Sequence, residues 1–281
     1  MLSDDPEPGH LRKNRTDREM STMETTPITY PGVLATVTAL VDYLRVTTDL
    51  STVADPSQGW IGCADLIASP QRLDELIRST SAGRGTREEM VAASLFLHSY
   101  AFCIASAVVA PWALGLPAPS CAPANMSIKM SSDRPGQVAI ADQTVADRTA
   151  WELVGELFVE HFGPLIEAVL ATTTIGKRLL WGNVASACST VFRALDGAPG
   201  ADREAIQRRA ADFATAAAPW IEGLGRSETV AEGGRVGWFW TRTVCCLWYR
   251  CAGGFTCDDC SLTSAEDLET SRRAQLAAAG R

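Results

Sequence analysis

Apolar residues recur at helical spacing through most of the chain, beginning with GVLATVTALVDYLRV at residues 32–46. In the next helical segment, Ser69 is placed to cap the helix and Pro70 takes the first helical position. Similar spacing predicts further helices over residues 86–111, 148–162, 163–174, 177–195 and 202–224, separated by glycine and proline. The pattern therefore predicts a mainly helical body.

One of these helical segments runs into a stretch without charge, from Met90 to Ser127. Thr86 and Glu89 predict a capping box at its start, and Pro111 should kink or end the helix. The stretch is long enough to span a bilayer, but no Lys/Arg cluster flanks its far end. We therefore expect a buried central helix and no stable membrane insertion.

Two regions depart from helical spacing. MSIKMS and QVAIA, separated by SDRPG, predict a β-hairpin within residues 119–148. RVGWFWTRTVCCLWYR, at residues 235–250, is aromatic and β-branched, which favours extended structure. The predicted fold class is α+β, mainly helical, with a small antiparallel sheet and a C-terminal cysteine-rich segment. The predicted divisions are a disordered N-terminal tail (1–28), a helical body (29–235), a cysteine segment (236–264) and a C-terminal tail (265–281).

Composition narrows the function classes. The chain has 281 residues and a net charge of -8, which argues against a nucleic-acid partner. Its polar start lacks an apolar signal region, so we expect a cytoplasmic protein whose thiols stay reduced. Nine cysteines in such a compartment indicate metal or redox chemistry rather than disulfides.

Five of the nine cysteines lie in CCLWYRCAGGFTCDDC, residues 245–260. Cys257 and Cys260, two residues apart, can turn toward one metal centre, and Gly253-Gly254 ahead of them allows a tight reversal. The adjacent Cys245 and Cys246 need a bent backbone, because neighbouring side chains of a strand point to opposite faces. The spacing matches neither zinc ribbons nor zinc fingers, yet by itself it leaves structural zinc and iron–sulfur binding open.

This segment resembles the C-terminal signature of the FhuF family of ferric siderophore reductases: two adjacent cysteines, ten residues, then Cys-x-x-Cys. The other similar residues are Arg242, Leu247, Tyr249, Arg250, Gly253, Gly254, Asp259 and Leu262, together with LLWGN at 179–183. Three positions depart from the family pattern. Ser261 replaces a frequent proline, Asp258 a frequent glycine and Cys251 a common apolar residue.

The resemblance implies that Cys245, Cys246, Cys257 and Cys260 bind a [2Fe–2S] cluster. It also implies one-electron reduction of siderophore-bound Fe(III) to Fe(II) in the cytosol or at the inner face of the membrane. The expected partners are a ferric siderophore, with the hydroxamate type as a candidate, and a ferredoxin or NAD(P)H-dependent reductase as electron donor. The acidic net charge favours neutral or cationic chelates through its long-range field.

Other functions stay open at this point. A zinc-stabilised structural or interaction module would use the same four cysteines without redox chemistry. A siderophore-binding protein would keep the cluster without turnover. A redox sensor would need an effector module, such as a basic DNA-binding helix, and the acidic sequence offers none.

The remaining chemistry-bearing residues have plainer interpretations. Cys63, Cys103, Cys121 and Cys188 are expected to be buried as small hydrophobes. We expect His98 in the helical core and His161 in a surface pair with Glu160. Aromatic residues near the cysteines could pack simply or shield a cluster, and these are Trp238, Phe239, Trp240 and Trp248. Arg242 and Arg250 suit either hydrogen bonds toward a cluster or surface salt bridges.

Overall fold

The computed structural model describes residues 28–278. The predicted tail at 1–28 therefore lies outside the described residues, apart from Ile28. The helices are α1 (Tyr30–Leu40), α2 (Leu50–Ala54), α3 (Cys63–Ala68), α4 (Pro70–Gly83), α5 (Glu89–Ala113), α6 (Ala150–Val154), α7 (Gly163–Thr172), α8 (Lys177–Asp196), α9 (Arg203–Ile221) and α10 (Ala265–Ala278). A π-helical segment, Gly155–Phe162, joins α6 to α7. The strands are β1 (Val46–Thr47), β2 (Trp60–Gly62), β3 (Ala118–Pro119), β4 (Met126–Ser131), β5 (Arg134–Ile140), β6 (Val145–Ala146), β7 (Gly225–Glu232) and β8 (Arg235–Arg242).

Helix α5 forms the centre of the fold, packed against α8, α4 and β5. It is long and apolar enough to cross a membrane, yet 20 of its 25 residues are buried inside the protein. The prediction of a buried central helix is confirmed, and the helix ends at Ala113, two residues after Pro111. The capping box is wrong: the helix begins at Glu89, and the Thr86 hydroxyl accepts a hydrogen bond from the Glu88 amide instead.

The main sheet has four strands in the order β1-β5-β4-β2. Its β4–β5 hairpin is antiparallel, as predicted, whereas the short edge strand β1 runs parallel to β5. Helix α1 was predicted to continue to Val46 but ends at Leu40, and Val41 is already extended. The Val138 amide donates to the carbonyl of Arg45, so this stretch satisfies its backbone in the sheet rather than in a helix.

A second hairpin, β7–β8, carries the chain to the cysteine segment. The sequence predicted extended structure for β8 but not for β7. Helix α10 occupies most of the predicted C-terminal tail and packs on this hairpin, where the buried Arg272 pairs with Glu228 and donates to the carbonyl of Trp240. The predicted α+β, mainly helical fold class is confirmed, with the cysteine-rich segment between β8 and α10.

Candidate metal centre

The cysteine loop, residues 243–264, begins where β8 ends. The backbone bends at residues 243–244, and Leu247 adopts a left-handed conformation with φ of 69°. This conformation is uncommon for a branched residue and places a sharp turn directly after the adjacent cysteines. The chain reverses again at Gly253, where φ is 72°, and a side chain at Gly254 would overlap the carbonyl of Trp248. Both glycines are therefore required by the loop shape.

The loop brings the thiols of Cys246 and Cys257 into contact. The Sγ atoms of Cys246 and Cys257 lie 3.6 Å apart. Burial raises the pKa of the Cys245 thiol, the Leu247 amide that donates to its sulfur lowers it, and Cys246 and Cys260 raise it further. Within residues 28–278, no three Cys, His, Asp or Glu side chains converge closely enough to hold one metal ion.

By donor chemistry, four thiols in one loop suit an iron–sulfur cluster, and also a structural zinc. A single structural zinc needs four ligands around one point, whereas the two irons of a [2Fe–2S] cluster share four thiolates between two metal positions. Backbone amides already point at two of the sulfurs: Leu247 N lies 3.3 Å from Cys245 Sγ, and Leu262 N lies 3.4 Å from Cys260 Sγ. Such N–H···S hydrogen bonds are among the features that tune cluster potentials.

Cys251, the fifth cysteine of the loop, lies in apolar surroundings. It is 8% exposed and packs in a small apolar cluster with Val91 and Leu95 of α5, next to Leu247 and Trp248. Its place is therefore that of an apolar residue, as at the corresponding position of the family pattern. The four scattered cysteines, Cys63, Cys103, Cys121 and Cys188, are free and buried, as predicted.

Arg242 supplies the positive charge beside the thiols. It is 2% exposed, and its Nε lies 3.1 Å from the Asp259 carboxylate. Burial lowers the pKa of Arg242, but Asp259 and the thiols of Cys246 and Cys257 outweigh it and raise the pKa overall. A hydrogen bond from Cys257, together with Arg242, lowers the pKa of Cys246 to about 6. Cys257 and Arg242 thus favour the thiolate form of Cys246, which is the form that binds metal.

Buried polar side chains from two core helices anchor the loop. Asn183 of α8 donates to the backbone and hydroxyl oxygens of Ser94 on α5, both at 2.9 Å. The Ser94 hydroxyl in turn donates to the carbonyl of Cys246 at 2.7 Å. Ser186 bonds both Arg242 and Asp259. The LLWGN segment therefore holds the cysteine loop through Asn183.

Gly182, in the same segment, lets the loop approach α8 closely. A Cβ atom at this position would overlap the Val244 side chain, which directly precedes Cys245. Only a residue without a side chain leaves room for Val244 here. The close contact fixes the point at which the cysteine loop leaves β8.

A cavity of about 670 Å³ opens beside the thiols. Cys246 and Cys257 form part of its wall, together with His98, Arg242 and Trp248. Its volume lies in the range of small-molecule sites. Burial, Arg242 and Arg84 lower the pKa of His98 to about 4 despite the opposing effect of Asp259, so this histidine is neutral near pH 7.

Sequence reasoning missed two of these site residues on α5. His98 was predicted as a core histidine but lines the cavity, and Ser94 was not singled out. The two lie four residues apart on one face of an otherwise apolar helix, a spacing that could have indicated a polar site. Neither their facing partner α8 nor the cysteine loop can be read from that spacing alone.

Comparison with known families agrees with this part of the structure. A family model described as "Ferric iron reductase FhuF-like transporter" matches residues 94–232, about half of the chain. This chain belongs to the FhuF-like family. The match includes Ser94 and Asn183 and ends before Cys245, so it supports the FhuF-like body independently of the cysteines. No curated protein matches the FhuF-like chain.

Proposed function

We propose that this FhuF-like protein is a ferric siderophore reductase that holds a [2Fe–2S] cluster on Cys245, Cys246, Cys257 and Cys260. One observation carries the proposal: the small-molecule cavity shares its wall with Cys246 and Cys257. Family membership supports a role in siderophore-iron reduction in general. The cavity supplies a place where a chelate would lie beside the thiols.

The proposed reaction transfers one electron and breaks no covalent bond. When bound, a [2Fe–2S] cluster supplies single electrons, received here from a ferredoxin or an NAD(P)H-dependent reductase. Chelated Fe(III) gains that electron and becomes Fe(II), which hard oxygen ligands hold less firmly. The chain contributes the thiolates, the compensating charge of Arg242, and amide hydrogen bonds to sulfur.

The first test is spectroscopic. Protein purified without oxygen should absorb in the visible range, bleach with dithionite and give an S = 1/2 EPR signal. Addition of a ferric siderophore should then restore the oxidised spectrum and produce Fe(II), trapped by a ferrous-specific chromophore. A colourless protein with stoichiometric zinc would end the reductase proposal and support the zinc-stabilised module.

A matched pair of cysteine variants sharpens this test. Cys246→Ser removes a proposed ligand at the cavity wall, whereas Cys251→Ala removes the loop thiol that packs against Val91. We expect Cys246→Ser to lose the visible spectrum and Cys251→Ala to keep it. The reverse pattern would reassign the ligand set.

A further inference from the structure

Helices α5 and α8 both contribute to the wall of the cavity beside the thiols. On α5, the lining residues recur at helical spacing from Leu95 to Ser106, so one face of this helix borders the cavity along three turns. The cysteine loop adds Cys246 and Cys257 to the same wall. His98 is the imidazole on the α5 face, and it has no role in the binding of the proposed cluster.

His98 differs from other polar groups of the wall because it has no partner. The Thr190 hydroxyl, on α8, donates to the carbonyl of Ser186 at 2.9 Å, as a helical hydroxyl readily does. The buried His161 uses both of its ring nitrogens. Within residues 28–278, neither ring nitrogen of His98 has a hydrogen-bond partner, and the ring is partly exposed where it lines the cavity.

The position of His98 along α5 places it near the thiols. It lies one helical turn after Ser94, whose hydroxyl bonds the carbonyl of Cys246 at 2.7 Å. Residues four apart share a face of the helix, about 6 Å from each other along it. A chelate that fills the cavity beside Cys246 and Cys257 therefore meets the imidazole as well.

We infer that His98 contacts the substrate, and that one of its ring N–H groups donates a hydrogen bond to an iron-bound oxygen of the ferric chelate. This inference deepens the proposed function and rests on it, since it takes the cavity as the substrate site. An imidazole has at least one N–H in either protonation state, so the donation does not depend on its charge. With no partner inside the protein, His98 gives up no internal hydrogen bond when the chelate binds.

The same hydrogen bond favours the reduction step. One electron passes from the reduced cluster to Fe(III), which becomes Fe(II), and no proton is transferred. The chelate then carries one more negative charge, part of which lies on its oxygen ligands. Because a donor binds a more negative oxygen more strongly, the N–H of His98 stabilises the reduced chelate more than the oxidised one.

Gallium complexes test the contact separately from turnover. Ga(III) has the charge of Fe(III) but does not accept the electron. The probes are the gallium complexes of a tripodal trihydroxamate and of a tripodal tricatecholate on the same scaffold, both of which present metal-bound oxygens. Calorimetric titration of the full-length protein, purified without oxygen, measures their affinities.

Three variants separate the N–H donor from a general change of the wall. H98L removes the donor, whereas H98Q keeps a side-chain N–H. T190V removes a hydroxyl of the wall that is already bonded to its own helix. For a complex that binds the unaltered protein, H98L should weaken binding by about fivefold or more, and H98Q and T190V should each weaken it by less than about twofold. All three should keep the visible spectrum of the unaltered protein.

Single-turnover kinetics test the effect on reduction. Protein reduced with dithionite, then freed of it, is mixed with a saturating ferric form of the same chelate, and reoxidation is followed in the visible range. The rate constant should be about threefold or more lower in H98L and largely restored in H98Q. An unchanged rate constant in H98L would overturn the role of His98 in reduction.

Three outcomes of the titrations would overturn the contact itself: neither gallium complex binds, H98L binds as tightly as the unaltered protein, or H98Q or T190V loses as much affinity as H98L. The last would mean that the shape of the wall, not the N–H donor, matters. If binding depends on His98 but no ferric complex is reduced, the contact stands and the reductase proposal fails. If reduction occurs and H98L changes neither affinity nor rate, the reductase proposal stands and the inference on His98 fails.

Discussion

At the scale of single residues, His161 shows how burial changes a side chain's behaviour. It was predicted in a surface pair with Glu160, and that is wrong: it is 0% exposed. Its Nδ1 contacts the carbonyl of Cys121, which can only accept, so Nδ1 carries the proton. Its Nε2 accepts from the Tyr100 hydroxyl at 2.7 Å. The neutral imidazole therefore joins α5 to the π-helical segment.

A pH dependence follows from this placement. Burial lowers the pKa of His161 to about 4 from 6.5, outweighing the hydrogen bond to Cys121. Between pH 6.5 and 4, His161 is protonated in the unfolded chain but neutral in the folded protein. The free energy of unfolding therefore decreases as pH falls from about 6.5 to 4. The loss should reach about 3 kcal/mol. Denaturant unfolding at constant ionic strength, from pH 4.5 to 7.5, measures it.

The matched variants for this experiment are H161Q and H98Q. His161→Gln should remove most of the decrease in unfolding free energy that His161 causes between about pH 7.5 and 4.5, whatever its effect on stability at about pH 7.5. His98→Gln should retain that decrease, because His98 lies at the cavity and not in the Tyr100 network. An unchanged slope in H161Q would show that His161 is not the group that titrates.

At the scale of elements, the contact of α8 with the cysteine loop depends on Gly182. Gly182→Ala should push Val244 away and disturb the adjacent Cys245, although alanine favours a helix by about 1 kcal/mol. We expect lower thermal stability and a reduced amount of bound iron per chain. G182A/V244A, which removes the overlapping methyl group, should recover much of both.

A second glycine provides the control for this prediction. Gly155, also in a helical segment, has nothing within 4 Å of the position of an added Cβ. Gly155→Ala should therefore leave iron content unchanged and stability equal or higher. Equal iron loss in G155A and G182A would show that the close approach of Val244 is not what positions the loop.

Local patterns explain which elements could be predicted. The cap at Ser69, the end of α5 after Pro111 and the β4–β5 hairpin all follow from a few adjacent residues. Strand β7 was missed because its residues alternate weakly and only Val230 is buried. The end of α1 was missed because its continuation pairs with β5, about 90 residues later in the chain.

The candidate site likewise contains residues that are close together in the sequence, which could be predicted, and distant residues, which could not. The four cysteines lie within sixteen residues, so spacing alone could single them out. Their supports come from far away: Ser94 reaches Cys246 across 152 residues, and Asn183 reaches Ser94 across 89. The cavity wall also joins distant residues, since His98 of α5 and Thr190 of α8 lie in it only through folding.

At the scale of the whole molecule, the main apolar core and the cysteine loop bury their side chains in two different clusters. The main apolar core runs from Tyr30 to Trp240, whereas Cys251 belongs to a small cluster with two residues of α5. The body therefore buries most of its apolar surface without the loop, apart from contacts such as those of Val244 and Cys251. Most of its stability should come from that burial and should survive the loss of a cluster.

Tryptic cleavage in the loop can show whether the loop opens while the core stays folded. Arg250, a trypsin site, lies between the cysteine pairs and contacts Glu88. In Cys246→Ser, tryptic cleavage after Arg250 should be faster by about tenfold or more, because the loop opens locally. Circular dichroism at 222 nm should stay within about 10% of the unaltered protein, since the core helices persist. R250Q in the same background should abolish that cleavage.

Phe158→Ala, at a fully buried aromatic, should instead lower global stability by about 3–5 kcal/mol. Loss of helical signal in Cys246→Ser would show that the body requires the loop to fold.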